Sequence, residues 1–212
     1  MSARFTLHGI WLSGPTYKIG LFLALAGEPF DYVHMDLRAG EHKRPDYLAL
    51  QRYGQVPLLE DNGNGRRLVQ SAAILEYLAD TTGRFGGANL DERIHAREWM
   101  YWDFDRLARG IYRPRAARAG FAQFAPEVLE HYLAEGRVAL GVLDAHLAGR
   151  SFLVGEGVTI ADIDIYGVAA YAEQAGHDLG AVPNVAAWMR RIEALPGFLA
   201  ADACLPKETR AA

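Results

Sequence analysis

The chain has 212 residues, of which 50% are hydrophobic and 23% are charged, so a folded globular protein is expected rather than a disordered one. A net charge of −4, without a basic stripe, argues against binding to nucleic acid. The single cysteine, Cys204, excludes an intrachain disulfide and dithiol redox chemistry within one chain. The start of the chain lacks a long apolar signal region, and the longest apolar stretch, residues 20–27, is too short to cross a bilayer. We therefore expect a cytoplasmic protein that has no membrane partner.

The first third of the chain alternates short strand-like and helix-like runs. Apolar residues alternate with polar ones over 5–8 and again over 33–37, which predicts two half-buried strands. Between them, residues 17–26 form an apolar helical run that follows the break at Gly14 and Pro15. A strand, a helix and a second strand at this spacing predict a parallel pair joined by a crossover helix.

A hairpin and a further helix follow this unit. Residues 56–60 predict a third strand, residues 61–65 (DNGNG) a tight turn, and residues 68–69 part of a fourth strand. Ser71 is a suitable N-cap for a helix over 72–79. The order β-α-β followed by β-β-α is that of a thioredoxin-like domain.

The rest of the chain predicts one helix after another. A polar, glycine-rich segment at 81–91 predicts a linker, so we expect a thioredoxin-like domain over 1–80 and an all-helical domain over 92–212. Thr159 and Asp162 match a capping box, with Val158 and Ile163 at the flanking staple positions. The apolar repeats that we expect to face the helical core are Met100, Phe104, Leu107 and Ile111; Leu129, Leu133, Gly136, Leu140, Leu143 and Leu147; and Val185, Trp188, Ile192 and Leu195.

Other chemical motifs are weak or missing in this sequence. The run GNGRRL at 63–68 lacks the third glycine of a dinucleotide fingerprint and precedes a strand-like run instead of a helix. The seven histidines are scattered and show no metal-ligand spacing. We therefore expect no metal.

Three short segments and their order carry a family resemblance. They read LSGPTYK at 12–18, GQVPLLE at 54–60 and VQSAAILEYL at 69–78, and GEHK at 40–43 lies between the first two. With the all-helical second half, the chain resembles the glutathione transferases, and its serine-type bacterial and plant branches most. The resemblance covers essentially the whole chain. It implies an α+β thioredoxin-like N-terminal domain followed by an all-α helical-bundle C-terminal domain, and a homodimer.

The resemblance also implies roles for individual residues. Ser13 matches the active-site hydroxyl, and Val56 and Pro57 match a residue whose backbone pairs with the cysteinyl part of glutathione and the cis-proline beside it. Related sequences often have an asparagine where this chain has Pro15, and Thr16 offers a second hydroxyl, so Ser13 and Thr16 both stay candidates for activating the thiol. The residues implied in binding the two ends of glutathione are His42, Lys43 and Gln55 near the glycine carboxylate, and Gln70 and Ser71 at the γ-glutamyl end.

These residue types suit the chemistry of a thiol nucleophile. A thiol of pKa ~8.5 is only a few per cent ionised near neutral pH. Lowering its pKa by about one unit needs ~1.4 kcal/mol of preference for the anion, which one hydroxyl hydrogen bond to the sulfur can supply. Each residue also has a purely structural interpretation as a cap, turn, bulge or surface residue. Their co-occurrence in one thioredoxin-like order favours the functional interpretation.

Three functions stay open from the sequence. The first is a detoxifying glutathione transferase that joins the thiolate to a small hydrophobic electrophile. The second is glutathione-dependent reduction of disulfides or peroxides, and the third is a non-catalytic binding module with a transferase-like fold. For the first, we expect the electrophile in a cleft between the domains, lined by Tyr101 and Tyr112; both tyrosines could equally be packing residues or dimer contacts.

Overall fold

The computed structural model describes residues 3–211, which form two compact units. The first unit holds the residues up to Arg84 together with those from Leu195 onward, and the second is Phe85–Ala194. The sequence predicts one helical domain over 92–212. The structure instead groups the last residues with the thioredoxin-like unit, because they pack along its first helix and pair with one of its strands.

The first unit is built on a four-stranded sheet with the order β2-β1-β3-β4. Its strands are β1 (Phe5–Gly9), β2 (Phe30–His34), β3 (Leu58–Asp61) and β4 (Arg66–Val69). The parallel pairing of β1 with β2 and the β3–β4 hairpin confirm the sequence prediction. β1 and β3 run antiparallel.

Two strands differ from their predicted bounds. The apolar alternation at Val33, Met35 and Leu37 predicts a strand there, but β2 ends at His34 because the Asp36 carboxylate accepts the N–H groups of Arg38 and Ala39 and turns the chain. Those apolar residues pack in a cluster around Tyr47 beside the sheet. β3 begins at Leu58 rather than at residue 56, since the residue before it is Pro57, which has no N–H to donate to a neighbouring strand.

Helices cover both faces of the sheet. α1 (Gly14–Ala26) packs against α3 (Ser71–Thr82), and α2 (Pro45–Leu50) contributes Tyr47 to the apolar cluster with Leu58. α1 begins at Gly14, three residues earlier than predicted, because Ser13 caps its first turn. α3 ends at Thr82 and the next helix begins at Leu90, so the connection is shorter than the predicted 81–91 linker.

The second unit is helical throughout. Its helices are α4 (Leu90–Trp102), α5 (Ala108–Arg118), α6 (Pro126–Leu147), α7 (Ile160–Ala169), α8 (Ala172–Ala175) and α9 (Pro183–Glu193); α10 (Ala201–Cys204) follows in the first unit. All ten residues of α7 are buried. The predicted capping box is confirmed, since the Asp162 carboxylate accepts the N–H of Thr159 at 2.9 Å. No helix within residues 3–211 is long and apolar enough to span a membrane.

Small residues bring α5 and α6 close together. A Cβ placed on Gly136 would lie 2.7 Å from the carbonyl oxygen of Gly110, and one placed on Gly110 would collide with the backbone of Gly136. Gly136 is buried and faces the helical core as predicted, and its lack of a side chain allows this close approach. The predicted stripe of α6 is buried from Gly136 to Leu147 and half-buried before it.

Phe104, which is predicted to face the core, is 77% exposed, and that prediction is wrong. It lies in a π turn formed by Asp103–Leu107 between α4 and α5, where Asp103 is buried in its place. Met100, Leu107 and Ile111 stay in the core as predicted. Leu195 also differs, because α9 ends at Glu193 and leaves it half-buried beyond the helix.

Candidate functional site

The strand register brings the predicted site segments to one edge of the sheet. His8 of β1 lies opposite Leu58 at the start of β3, and Leu58 lies opposite Val69 at the end of β4. Gly9 lies beside His34, the last residue of β2. The segments that continue from this edge hold the candidate residues Ser13, His42, Lys43, Gln55, Val56, Pro57, Gln70 and Ser71.

Ser13 is both a helix cap and an available hydrogen-bond donor. Its Oγ accepts the backbone N–H of Thr16 at 3.1 Å, and it stands at the N-cap of α1. A hydroxyl has one proton and two lone pairs, so accepting this bond leaves its proton to donate elsewhere. The side chain is half-buried. The cap and the predicted contact with a thiolate are therefore compatible.

Thr16 lies inside the fold rather than before the helix. It is the third residue of α1, its side chain is 0% exposed, and it packs against β1 at Gly9, where a Cβ would collide with it. Its Oγ1 is buried without a hydrogen-bond partner among the described residues. This placement favours Ser13 over Thr16 as the hydroxyl that reaches a ligand.

The loop before β3 presents backbone groups to the site. The Val56–Pro57 peptide bond is cis, as the resemblance implies for Pro57. The Tyr47 hydroxyl donates to the carbonyl oxygen of Gln55 at 2.7 Å, which holds the loop in place. Within residues 3–211, the N–H and C=O of Val56 have no backbone partner. An extended peptide can pair with such groups.

Gln70 has an unusual backbone conformation at the start of α3. Its φ is 69° and its ψ is 117°, a region that non-glycine residues rarely adopt and that costs ~1–3 kcal/mol. Its Nε2 lies 3.4 Å from the Gln55 Oε1, which links the two loops. The prediction that Ser71 caps α3 is wrong: Ser71 is the first helical residue, and Gln70 holds the cap position without a side-chain bond. The Ser71 hydroxyl is therefore not used by the helix as a cap.

His42 and Lys43 lie in a short 3₁₀ turn after β2. The turn spans Glu41–Lys43, and the Lys43 Nζ donates to the carbonyl oxygen of Gly54 at 2.8 Å. A Cβ on Gly54 would lie 2.8 Å from the His42 carbonyl oxygen, and Gly54 has a φ of 58°, so this close approach requires glycine. His42 is half-buried, and its Nδ1 has no partner among the described residues.

Several supporting residues were missed from the sequence. Tyr47 and Gly54 fix the loop before β3, and the Glu41 carboxylate accepts the Asp36 N–H at 2.7 Å. The hydrogen bond from the Ala39 N–H, with that of Arg38, lowers the pKa of the Asp36 carboxyl. Glu41 lies in the segment GEHK at 40–43, which carries part of the family resemblance, but the sequence predicts no role for it. Nothing in the sequence pointed to Tyr47.

The electrostatics of this edge suit an anion. α1 and α3 both begin here, and neither has an acidic residue in its first turn. Helix N-termini of this length carry a partial positive charge and unpaired N–H groups. Lys43 adds a full positive charge beside the Gln55 loop. Among residues 3–211, no group of three metal-ligating side chains is found.

Tyr101 and Tyr112 both lie in the second unit, in different surroundings. Tyr101 is 69% exposed on α4. Tyr112 on α5 is half-buried, its hydroxyl donates to the Gly167 carbonyl oxygen at 2.9 Å, and its ring lies 6.3 Å from that of Tyr171. A π turn lies between the two helices that hold these tyrosines.

Comparison with known proteins identifies the family. The model of the glutathione S-transferase N-terminal domain matches residues 3–80, and that of its C-terminal domain matches residues 110–196. The chain is 31% identical over 205 residues to maleylacetoacetate isomerase from Rhizobium meliloti, covering 93% of this chain and 95% of that protein. It is 31% identical over 186 residues to the disulfide-bond oxidoreductase YfcG of Escherichia coli, covering 85% and 86%.

A solved structure agrees with this family assignment. A possible glutathione S-transferase from Rhodopseudomonas palustris has a TM-score of 0.84 and 36% identity, covering 94% of this chain and 98% of that one. The thioredoxin-like unit, the helical unit and these matches together define the class. The chain belongs to the glutathione S-transferase family.

Proposed function

We propose that this protein binds glutathione at the sheet edge and transfers its thiolate to a small hydrophobic electrophile. One observation carries the proposal: the Ser13 hydroxyl keeps its proton available while it caps α1 at this edge. A donor placed there can bond to the sulfur anion of a bound thiol. Hydrogen bonds to charged groups contribute ~1.5–3 kcal/mol, enough to lower a thiol pKa by about one to two units.

The rest of the edge matches the other parts of glutathione. The free backbone groups of Val56 suit the central cysteinyl residue of a peptide. The strained Gln70 and the uncommitted Ser71 hydroxyl at the start of α3 suit the γ-glutamyl carboxylate. His42, Lys43 and Gln55 suit the glycine carboxylate, because a fixed ammonium lies there. Each charged end of the ligand thus meets groups of suitable charge or hydrogen-bonding character.

Ser71→Ala is expected to weaken glutathione binding about five- to tenfold. The variant removes one hydrogen bond to a carboxylate, worth ~1–1.5 kcal/mol after competition with water. Because the Ser71 hydroxyl does not cap α3, the fold should be unaffected. Titration calorimetry of the parent and the variant measures this effect. Ser151→Ala, at an exposed serine of the second unit, is the matched control and should bind as the parent does.

Two outcomes of the calorimetry would count against this proposal, one against the whole function and one against the role of Ser71. A parent protein that does not bind glutathione rejects the function as a whole and favours the non-catalytic binding module. A Ser71→Ala variant that binds as tightly as the parent rejects the assignment of this residue and keeps the function.

Tyr101→Phe and Tyr112→Phe are expected to raise the KM for at least one hydrophobic electrophile several-fold without changing the affinity for glutathione. We propose that both tyrosines contact the electrophile, since an aromatic ring with a polar tip suits an apolar substrate that carries a leaving group. Tyr112→Phe also removes the bond to Gly167, so its thermal stability is measured alongside. Kinetics that match the parent on several electrophiles would show that the tyrosines only pack.

Reduction of disulfides or peroxides is the second candidate function. It is supported by the 31% identity to a relative named a disulfide-bond oxidoreductase. The same thiolate would attack a sulfur or oxygen atom, and a second glutathione would replace the cysteine partner that this chain lacks. If the protein turns over a mixed disulfide but not an aryl halide, its function is reduction. If it turns over an aryl halide but not a mixed disulfide, its function is transfer.

We also propose a cytoplasmic homodimer with a role in detoxification, as the family resemblance implies. Two exposed apolar residues on α4, Leu90 and Ile94, give a surface that a second copy could cover. Sedimentation velocity measures the mass in solution. A monomer at micromolar concentration would contradict the dimer and leave the glutathione site as proposed.

A further inference from the structure

The C-terminal tail, residues 195–211, runs along the helix that Ser13 caps. The Tyr17 hydroxyl of α1 donates to the Leu199 carbonyl oxygen at 2.8 Å. The Cys204 sulfur lies against Gly20, where a Cβ would be only 2.6 Å away. Tyr17 and Cys204 are both buried, so the tail is part of the packing of the first unit.

The end of the tail is pinned to β2. The N–H of Tyr32 donates to the Arg210 carbonyl oxygen at 2.6 Å, and the N–H of Arg210 donates back at 2.8 Å. The His34 N–H donates to the Thr209 Oγ1 at 3.1 Å. These bonds hold the tail beside the carboxyl end of β2, which is the edge of the sheet where the candidate site lies.

From this position Lys207 reaches the turn that leads into Ser13. Its Nζ lies 4.7 Å from the centre of the Trp11 ring, within the range of a cation–π contact. Trp11 is a central residue of a tight turn, in which the Ser13 N–H donates to the Ile10 carbonyl oxygen at 2.9 Å. A contact that restrains Trp11 therefore restrains the residue two positions on.

We propose that Lys207 is a positioning residue, which holds the Trp11 turn so that the Ser13 hydroxyl stays aimed at the glutathione sulfur. The inference rests on the proposed role of Ser13. A hydroxyl stabilises a developing or resting anion best when its orientation is fixed in advance by surrounding contacts. α1 fixes Ser13 on one side, and the Trp11 turn fixes it on the other. Lys207 adds a contact to this turn from a distant part of the chain.

Lys207→Ala is expected to raise the pKa of the bound glutathione thiol by about half a unit and to lower turnover about two- to fivefold, the effect of losing one partly exposed cation–π contact. The affinity for glutathione is expected to stay within about twofold of the parent. The pKa is read from the ultraviolet absorbance of the bound thiolate against pH, which does not depend on the electrophile. Lys207→Arg, which can also stack on the ring, should restore the parent pKa. Glu208→Gln, at the exposed residue next to Lys207, is the matched control.

A double-mutant cycle with Trp11→Leu makes the test specific. If Lys207 acts through Trp11, the double variant raises the thiol pKa no further than the larger of the single variants. Additive increases in the pKa would overturn the proposal, as would a Lys207→Ala variant with the parent pKa. Loss of glutathione binding together with a lowered melting temperature would also overturn it, because the tail would then be a general stabiliser. A parent without glutathione binding would instead reject the proposed function itself.

Discussion

Asp162→Ala is expected to lower the free energy of unfolding by about 3–5 kcal/mol, the largest effect of any single substitution proposed for this chain. The side chain is fully buried, and its two oxygens accept four hydrogen bonds. One oxygen accepts the Leu153 N–H and the Trp188 Nε1–H, both at 2.9 Å. The other accepts the N–H and the hydroxyl of Thr159. Alanine would leave these donors buried and unpaired beside a cavity.

Urea unfolding followed by circular dichroism measures this loss. Glu156→Ala, at an exposed acidic residue in the preceding loop, is the matched control and should change stability by less than ~0.5 kcal/mol. The loss of stability for Asp162→Asn should lie between those for Asp162→Ala and Glu156→Ala. An amide keeps one acceptor oxygen, but it places an NH₂ group against buried donors. An Asp162→Ala variant with a loss below ~1 kcal/mol would show that water or a local rearrangement satisfies the four donors.

The elements that the sequence predicted well are those specified by local residues. The capping box at Thr159 depends on side chains three residues apart, and the parallel pair depends on the length of one crossover. Those signals need no knowledge of the rest of the fold. The convergence of Ser13, Val56 and Gln70 at one edge follows from the strand order alone, once the hairpin is assigned.

The wrong predictions concern residues whose position depends on contacts with residues far away in the sequence. Within the π turn Asp103 is buried and Phe104 is exposed, although the apolar repeat of the sequence predicts Phe104 in the core. The tail joins the first unit through pairing with Tyr32, a residue far from it in sequence. Leu37 continues an apolar alternation beyond β2 because it packs in a side-chain cluster rather than in a strand.

The same reasoning explains why the sequence could not choose between Ser13 and Thr16. Both have a hydroxyl near the start of α1, and a sequence pattern gives the type of a residue but not the direction of its side chain. Which one faces a ligand depends on where α1 begins and on which side packs against Gly9. The structure shows Thr16 packed inward and Ser13 at the end of the helix. This difference yields a direct experiment.

Ser13→Ala is expected to raise the pKa of the bound glutathione thiol by about one to two units and to lower kcat/KM near neutral pH about 10- to 25-fold. A hydrogen bond to the thiolate favours the anion, so its removal returns the pKa toward the ~8.5 of a free thiol. At a pH below the pKa, the thiolate fraction falls about tenfold for each pH unit by which the pKa rises. The rate deficit should therefore shrink as the pH rises through the pKa of the variant.

Two further variants separate this chemistry from the helix cap. Ser13→Gly removes the hydroxyl but costs α1 only a few tenths of a kcal/mol, whereas Ser13→Ala loses ~1 kcal/mol of stability. If both variants show the same thiol pKa, the change comes from the lost donor rather than from a frayed helix. Thr16→Val is the matched control: it removes a buried hydroxyl without a described partner and keeps the side-chain shape, so the thiol should titrate as in the parent. A raised pKa in Thr16→Val, with a parent-like value in Ser13→Gly, would reverse the two roles and reject Ser13 as the residue that activates the thiol.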